Sequence, residues 1–409
     1  MNNVKLTRLE VTNYRSCVST SFEPNKNLSA LIGPNGSGKT TILSAFQLLT
    51  GILNARHSPY TRKVQNDPFS SDCILKSRFE WNGKTILHEA KISLVNNERN
   101  EDEILNATET WYLYSITGSR KKIGIPMAAL TDDYRFSNRD FRHSLIRFLK
   151  EQFNDENIAS SALSAFIDIV KFIKSISYYS ASIFTNPSSS PISFEVESES
   201  GVRRGISIGG HKKFLYDLYS CYRSNPNDYE TFIDIIGING VHLIDELKFQ
   251  EIETSSSVYK VSVGGRITTK EKKNNLIIPN FIIYGNSLSP SQLSEGTFKT
   301  LALIFYLITN HGSLMLIEEP EVCVHHGLLS SIIELIKIYS LEKQIIISTH
   351  SDQLLDRLEL SSVFKVSRNE EGTTVTNVKK NLNIDELAAL KDYLCNQGGL
   401  GEYWKHGEL

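Results

Sequence analysis

Leu31-Ile32-Gly33-Pro34-Asn35-Gly36-Ser37-Gly38-Lys39-Thr40-Thr41 reads as a short apolar strand, a glycine-rich turn and a helix that starts at the lysine. The pattern G-x-x-x-x-G-K-T runs from Gly33 to Thr40 and is a complete P-loop. Gly33, Gly36 and Gly38 allow positive φ angles, so the backbone can approach a phosphate with no Cβ in the way. The N–H groups of this turn, Asn35 and Ser37 included, then form an anion nest at the positive end of a helix dipole. Lys39 can reach the β and γ phosphates, and the Thr40 hydroxyl can hold Mg²⁺. Ile42, Leu43, Phe46, Leu49 and Leu53 recur on one apolar face, as the following helix requires. With a strand before it and a helix after it, the stretch points to a nucleoside triphosphate rather than to a plain turn.

At 409 residues the chain has room for two or three folded units, or for one domain with a large insertion. Hydrophobic residues at 40% and charged ones at 22% suit a soluble globular protein. A net charge of -2 argues against wholesale coating of nucleic acid and leaves only a local basic face for such contacts. Cys17, Cys73, Cys221, Cys323 and Cys395 are scattered without a C-x-x-C pair, so they read as free thiols in a reducing compartment. Lys5, Arg8 and Glu10 interrupt the N-terminus, unlike a signal peptide, and the apolar run Leu301–Ile308 is far short of a membrane span. A cytoplasmic protein with no membrane partner is expected.

Alternation predicts strands over Val4–Thr12, Val18–Phe22, Leu28–Ile32, Cys73–Trp81, Thr85–Val95 and Thr110–Ile116, with Asn82-Gly83 as a hairpin turn. From about Thr131 the period becomes helical, with Phe141–Leu149, Leu163–Ile173 and Phe214–Tyr222 as helices. No heptad pattern is sustained, which favours a compact helical insertion over a rod. Strands resume at Tyr259–Val263 and Leu276–Tyr284, and apolar strands then alternate with helices up to Ile384–Leu394. The expected organisation is one part of a head over 1–130, a helical insertion over 131–257, the rest of the head over 258–380, and a C-terminal helix and tail over 381–409.

Further chemistry lies downstream. Leu314–Ile317 is a buried strand that ends in Glu318-Glu319. Beside a P-loop, the first acid can approach Mg²⁺ through a water, and the second can orient and polarise the attacking water. Ser294 and Gly296 begin the apolar helix after Leu293, offering a hydroxyl and free N–H groups as a second anion site, with an ordinary N-cap as the simpler alternative. His350 follows the strand Ile345–Ile347. A lone histidine there is usually a structural hydrogen-bonder, but its place behind the other motifs argues for a role at the nucleotide.

In this order the motifs resemble Walker A, signature, Walker B and switch histidine of the ABC-type ATPases. Within that class the chain is similar to the OLD and RecF-like branch. Leu9–Ser16 resembles its "nFRs" start, Leu293–Thr297 its "LSEGT" signature and Ile317–Glu321 its "IEEPE" box, and His325-His326 falls where "LHP" often stands. The ending Gly398-Gly399-Leu400-Gly401-Glu402-Tyr403-Trp404 resembles tails of prokaryotic defence ATPases such as the Septu and PARIS subunits.

The resemblance implies an α/β fold, an ABC-type P-loop NTPase head with a mixed sheet, flanking helices and an insertion between Walker A and signature. It implies an ATPase with ATP and Mg²⁺ as cofactors. Asn35, Gly36, Ser37, Gly38, Lys39, Thr40 and Thr41 of one copy would bind ATP together with Ser294 and Gly296 of another, in a homodimer or higher even oligomer. Thr40 and Glu318 would serve the metal, Glu319 would be the catalytic base and His350 the γ-phosphate sensor. Glu318 replaces the usual Asp, which implies slower hydrolysis, and Glu295 stands where transporters carry a second glycine.

The acidic cluster of the OLD Toprim nuclease is absent after His350, so the effector is expected to be a separate protein such as a nuclease. The expectation is therefore an ATPase subunit of an anti-phage defence complex. The alternative is a RecF-like repair ATPase that binds DNA through Lys121-Lys122, Arg203-Arg204, Lys212-Lys213 or Lys270–Lys273, each of which reads first as a solvated loop. The long, helix-filled run from Thr40 to Ser294 sets a transporter ATPase aside.

Overall fold

The computed structural model describes residues 4–54, 62–63, 73–96, 101–112, 122–125, 150–151, 156–197, 210–261, 267–322, 324, 326–396 and 398–405. The expected helix Phe141–Leu149, Lys121, Arg203-Arg204 and His325 lie outside the described residues, as do the side chains of Lys122, Lys270–Lys273 and His326.

In chain order the strands are β1 (Val4–Tyr14), β2 (Cys17–Phe22), β3 (Leu28–Ile32), β4 (Arg62–Lys63), β5 (Cys73–Trp81), β6 (Lys84–Asn96), β7 (Glu101–Tyr112), β8 (Lys122–Ile125) and β9 (Ser177–Ser180). They continue with β10 (Phe194–Glu197), β11 (Glu246–Val261), β12 (Ile267–Ile283), β13 (Asn286–Leu288), β14 (Leu314–Glu318), β15 (Gln344–Ser348), β16 (Val363–Asn369) and β17 (Gly372–Asn377). The chain forms two compact units, one of Met1–Tyr178, His311–Glu319 and Lys337–Leu409, the other of Tyr179–Asn310 and Pro320–Ile336.

The first unit holds a mixed sheet in the order β17-β16-β3-β15-β14-β9, which the chain leaves through β9. Strands β3, β14, β15 and β16 are parallel, and β17 returns antiparallel to β16. Every residue of β3 and β15 is buried, and most are apolar, as in a strand covered on both faces. The register sets Leu31 beside Ser348 and Ser348 beside Glu318. The carboxyl ends of β3, β15 and β14 are therefore level, so the segments that leave them start from one edge, where ligands of parallel sheets gather.

A second, antiparallel sheet in this unit runs β2-β1-β5-β6-β7-β4, with β8 against β7. Strand β5 alternates buried and open positions, so one face of the sheet turns inward. That face meets the first helices, α1 (Lys39–Asn54) and α2 (Glu156–Lys174), in a shared core. The Phe79 and Phe172 rings lie 5.7 Å apart, Trp111 and Phe166 4.9 Å, and the Trp81 indole donates to Asp168 at 2.9 Å. α2 falls within the stretch read from sequence as the insertion. It packs in this core because Ala162, Ala165, Phe166, Ile169, Phe172 and Ile173 form a buried stripe along it.

A single amide ties distant segments. Gln344 is fully buried; its Oε1 accepts from the Leu6 amide at 3.2 Å, and its Nε2 donates to the carbonyls of Leu6 at 2.9 Å and Asn25 at 2.7 Å. The tail is held too. Gly401 donates its N–H to Asp356 at 2.6 Å and Lys405 pairs with Asp352. A Cβ on Gly401 would stand 2.3 Å from the Asp352 carbonyl oxygen, so the helix Leu400–Lys405 approaches Asp352–Leu355 as only glycine permits.

The second unit combines α3 (Gly210–Ser224), α4 (Pro226–Ile236) and α5 (Glu295–Thr309) with a sheet in the order β10-β12-β11, to which β13 adds. The paired strands β11 and β12 are longer than the alternation predicted. α5 buries Phe298, Leu301, Ile304, Phe305 and Ile308, as an apolar helix inside a core must. Lys213, in one of the basic pairs, bonds to Asp217 one turn along α3.

Candidate functional site

The P-loop takes its shape from glycines with two separate duties. Gly33, Gly36 and Gly38 have φ of 156°, 78° and 110°. A Cβ on Gly33 would come within 2.2 Å of the Val366 carbonyl oxygen, and one on Gly38 within 2.3 Å of Thr373 Oγ1. These two let the loop pack against the β16–β17 hairpin. Nothing lies within 4 Å of a Cβ on Gly36, which with exposed Asn35 offers the open side of the turn to a phosphate.

Lys39 is buried and its Nζ donates to the Gly33 carbonyl at 2.8 Å and the Pro34 carbonyl at 3.2 Å, so the cation curls into the loop. Thr373 Oγ1 lies 2.9 Å from Ser16 Oγ and 3.1 Å from the Ser37 carbonyl oxygen, and Ser16 Oγ is 3.3 Å from Thr41 Oγ1. The β1–β2 turn, the P-loop and the start of β17 are thereby held together.

Glu318, the last residue of β14, is gripped at both oxygens. Thr40 donates its hydroxyl to Oε1 at 2.5 Å, and the Tyr178 hydroxyl donates to Oε2. The next residue, Glu319, has a φ of 47°, uncommon for a side chain longer than Asn. Its N–H donates to the Ser348 carbonyl at 2.9 Å. Strained backbone of this kind concentrates at functional sites.

His350, two residues beyond β15, brings Nε2 to 3.9 Å from Glu319 Oε1. Burial, and then the nearby Lys39 charge, hold the imidazole below its ordinary value, with Glu319 acting in the opposite sense.

These groups suit a nucleotide with its metal. The open glycine turn and the inward lysine match phosphates, while a hydroxyl and a carboxylate are the hard oxygen donors that Mg²⁺ takes. Thr40, Glu318, Glu319, His350 and the residues from Asn35 to Thr41 all belong to the first unit; Ser294 and Gly296 belong to the second. Ser294 caps α5, accepting from the Thr297 N–H at 3.1 Å, and Gly296 occupies its first turn. Glu295 forms an ion pair with buried Lys299 at 2.6 Å, which gives this departure from the transporter signature a structural use.

Sequence reasoning did not single out Tyr178 or Thr373. Both act across long sequence separations, and neither sits in a motif. The buried thiols Cys17, Cys73 and Cys221 are free, and burial pushes the Cys73 thiol up to about 12, which makes it a poor nucleophile.

The parallel strands, their level carboxyl ends and the P-loop define an ABC-type P-loop NTPase head. The family model described as "AAA domain, putative AbiEii toxin, Type IV TA system" matches residues 28–356, and the chain belongs to that family. It is also similar to the DNA replication and repair protein RecF of Marinomonas sp. (strain MWYL1), 34% identical over 70 residues, 17% of this chain and 18% of that protein. RecF of Chlorobium luteolum is 43% identical over 42 residues, 10% of this chain and 11% of that one. The chain thus matches less than a fifth of the length of these relatives. Among solved structures, an SmcHead bound to the C-winged helix domain of ScpA aligns with 92% of this chain and 100% of its own, at 12% identity and a TM-score of 0.49. No helix among the described residues is long and apolar enough to cross a membrane.

Proposed function

We propose that the protein is an ATP-hydrolysing subunit of a prokaryotic anti-phage defence complex, in which ATP-dependent engagement of two heads gates or scaffolds a separate effector such as a nuclease. The observation that carries the catalytic part is the gathering of Thr40, Glu318, Glu319 and His350 around one P-loop. Asn35 to Thr41 bind the phosphates through backbone N–H groups and the Lys39 ammonium. Thr40 and, through a water, Glu318 would hold Mg²⁺, which would supply neutralisation of the charge that develops on the phosphates. Glu319 orients the attacking water and takes its proton. His350, whose value burial and the Lys39 charge hold below the ordinary one, donates a hydrogen bond to the γ-phosphate.

One P-loop and one signature-like helix start per chain support a pair of copies, with Ser294 and Gly296 of each completing the other's site. ATP then acts as the adhesive and its hydrolysis as the release. The family description, with its putative toxin of a toxin–antitoxin system, favours a defence role. The local identity with RecF proteins supports the second reading, an ATPase that binds DNA directly.

The deciding experiment measures self-association of Glu319→Gln with and without ATP. Accumulation of a closed, ATP-loaded dimer is expected, and a variant that neither traps ATP nor associates would refute the scheme. Salt-dependent DNA binding by the isolated protein would favour the second reading, whereas co-purification with a nuclease encoded beside it would favour the first.

A further inference from the structure

Glu318 is a long side chain to hold still beside a metal. Its side chain has one more rotatable bond than aspartate, and every rotor left free must be frozen when a ligand binds. The structure contains a device that freezes it. Tyr178 stands on β9, the strand next to β14 in the sheet, and its hydroxyl donates to Glu318 Oε2 while the Thr40 hydroxyl occupies Oε1. Tyr178 is half-buried, and its backbone is fixed by the sheet. A phenol is a good choice for this contact. It donates one strong hydrogen bond to a carboxylate oxygen and adds no charge that would compete with a cation.

We propose that Tyr178 is a positioning residue for the metal-binding acid. It holds the longer Glu318 side chain with Oε1 turned toward Thr40, so that the hydroxyl and the carboxylate present a preformed pair of oxygen donors. The proposal rests on the reading of Thr40 and Glu318 as the Mg²⁺ side of an ATP site. It accounts for how a carboxylate on the longer glutamate side chain is kept in one place. Partners behind a ligating carboxylate commonly change metal affinity by about 10- to 100-fold when removed. Tyr178 is expected near the lower end, since Thr40 still orients the other oxygen.

The experiment is Tyr178→Phe, which keeps the ring and deletes only the hydroxyl. Binding of a fluorescent ATP analogue is titrated in EDTA and at increasing Mg²⁺, with thermal melting as a check on folding. The expected result is unchanged affinity in EDTA and a Mg²⁺ midpoint raised about tenfold. In a Glu318→Ala background the same change should have no further effect, because the group it positions is gone. Turnover, measured alongside, should recover in Tyr178→Phe when Mg²⁺ is raised.

An unchanged Mg²⁺ midpoint in Tyr178→Phe, or effects of the two substitutions that simply add, would overturn the positioning role alone. Failure of the unaltered protein to bind the analogue, or equal binding by Lys39→Ala, would instead overturn the ATP reading on which it rests.

Discussion

His350 Nε2 lies 3.9 Å from Glu319 Oε1, and the carboxylate draws a proton toward a ring that its other surroundings keep neutral. Burial and the Lys39 charge lower the imidazole value, in that order, and Glu319 raises it. In Glu319→Gln the histidine should therefore titrate still lower, and in Lys39→Met higher, as followed by NMR of the ring. The sign for stability follows from proton counting. The unfolded chain binds a proton near 6.5 and the folded ring only at lower pH, so acidification favours the unfolded state. The contribution of His350 to stability is complete above about 6.5 and is lost as the pH falls toward the lowered folded value. In His350→Gln that part of the pH dependence of unfolding should vanish.

The two duties of the P-loop glycines predict different outcomes for the same substitution. Gly36→Ala meets no neighbour and bears only the strain of a φ of 78°, about 1–2 kcal/mol. Gly38→Ala adds a collision with Thr373 and should lose more in urea unfolding. Thr373→Ala removes the colliding atoms, so the double variant should be less destabilised than the sum of the two singles.

Gln344→Leu should be among the more damaging single changes in the first unit. It leaves the Leu6 N–H and C=O and the Asn25 C=O without this partner in a buried setting. A loss on the order of 3 kcal/mol is expected in urea unfolding, with the far-ultraviolet signal of the folded state retained. Gln344→Ala, no better at bonding, should be no less stable than Gln344→Leu by more than the packing term.

Lys39→Ala should abolish ATP binding in equilibrium dialysis and, in the proposed scheme, ATP-dependent self-association as well. Ser294→Arg should leave nucleotide binding to the separate chain intact while blocking association. Mixing the two variants tests completion in trans. The P-loop of the Ser294→Arg chain and the Ser294 of the Lys39→Ala chain make one intact composite site, so the mixture should regain part of the ATP-dependent association that neither variant shows alone, and no recovery would refute completion in trans.

Local pattern identified the parts of the site that are local. The P-loop glycines, the apolar strands β3, β14 and β15, and the acids at the end of β14 announce themselves within a few residues. What escaped was long-range. Nothing around Tyr178 shows that it meets an acid 140 positions away, and nothing around Thr373 shows that it packs on Gly38. α2 has a helical period that reveals an apolar stripe but not which sheet the stripe covers. The strands β11 and β12 run longer than predicted because their middles carry Ser, Thr, Lys and Asn rather than an alternation of apolar residues. Their register comes from pairing, which no single segment displays.

The position of β3 between β15 and β16 sets an order of assembly during synthesis. The hairpin of β5 and β6 can pair as soon as it leaves the ribosome, because its contacts are close in sequence. The strand that carries the P-loop cannot. Both of its neighbours, and the Gln344 amide that reaches Leu6 across 338 positions, arrive only after the second unit has been made. Until then β3 presents an unpaired, mostly apolar edge, a surface that invites aggregation or a chaperone. A ribosome that stalls inside the second unit releases a chain with its phosphate loop written but not built. Pulse-labelled nascent chains halted before Gln344 should accordingly be sensitive to protease across β3, and ATP should begin to protect them only once β16 has emerged.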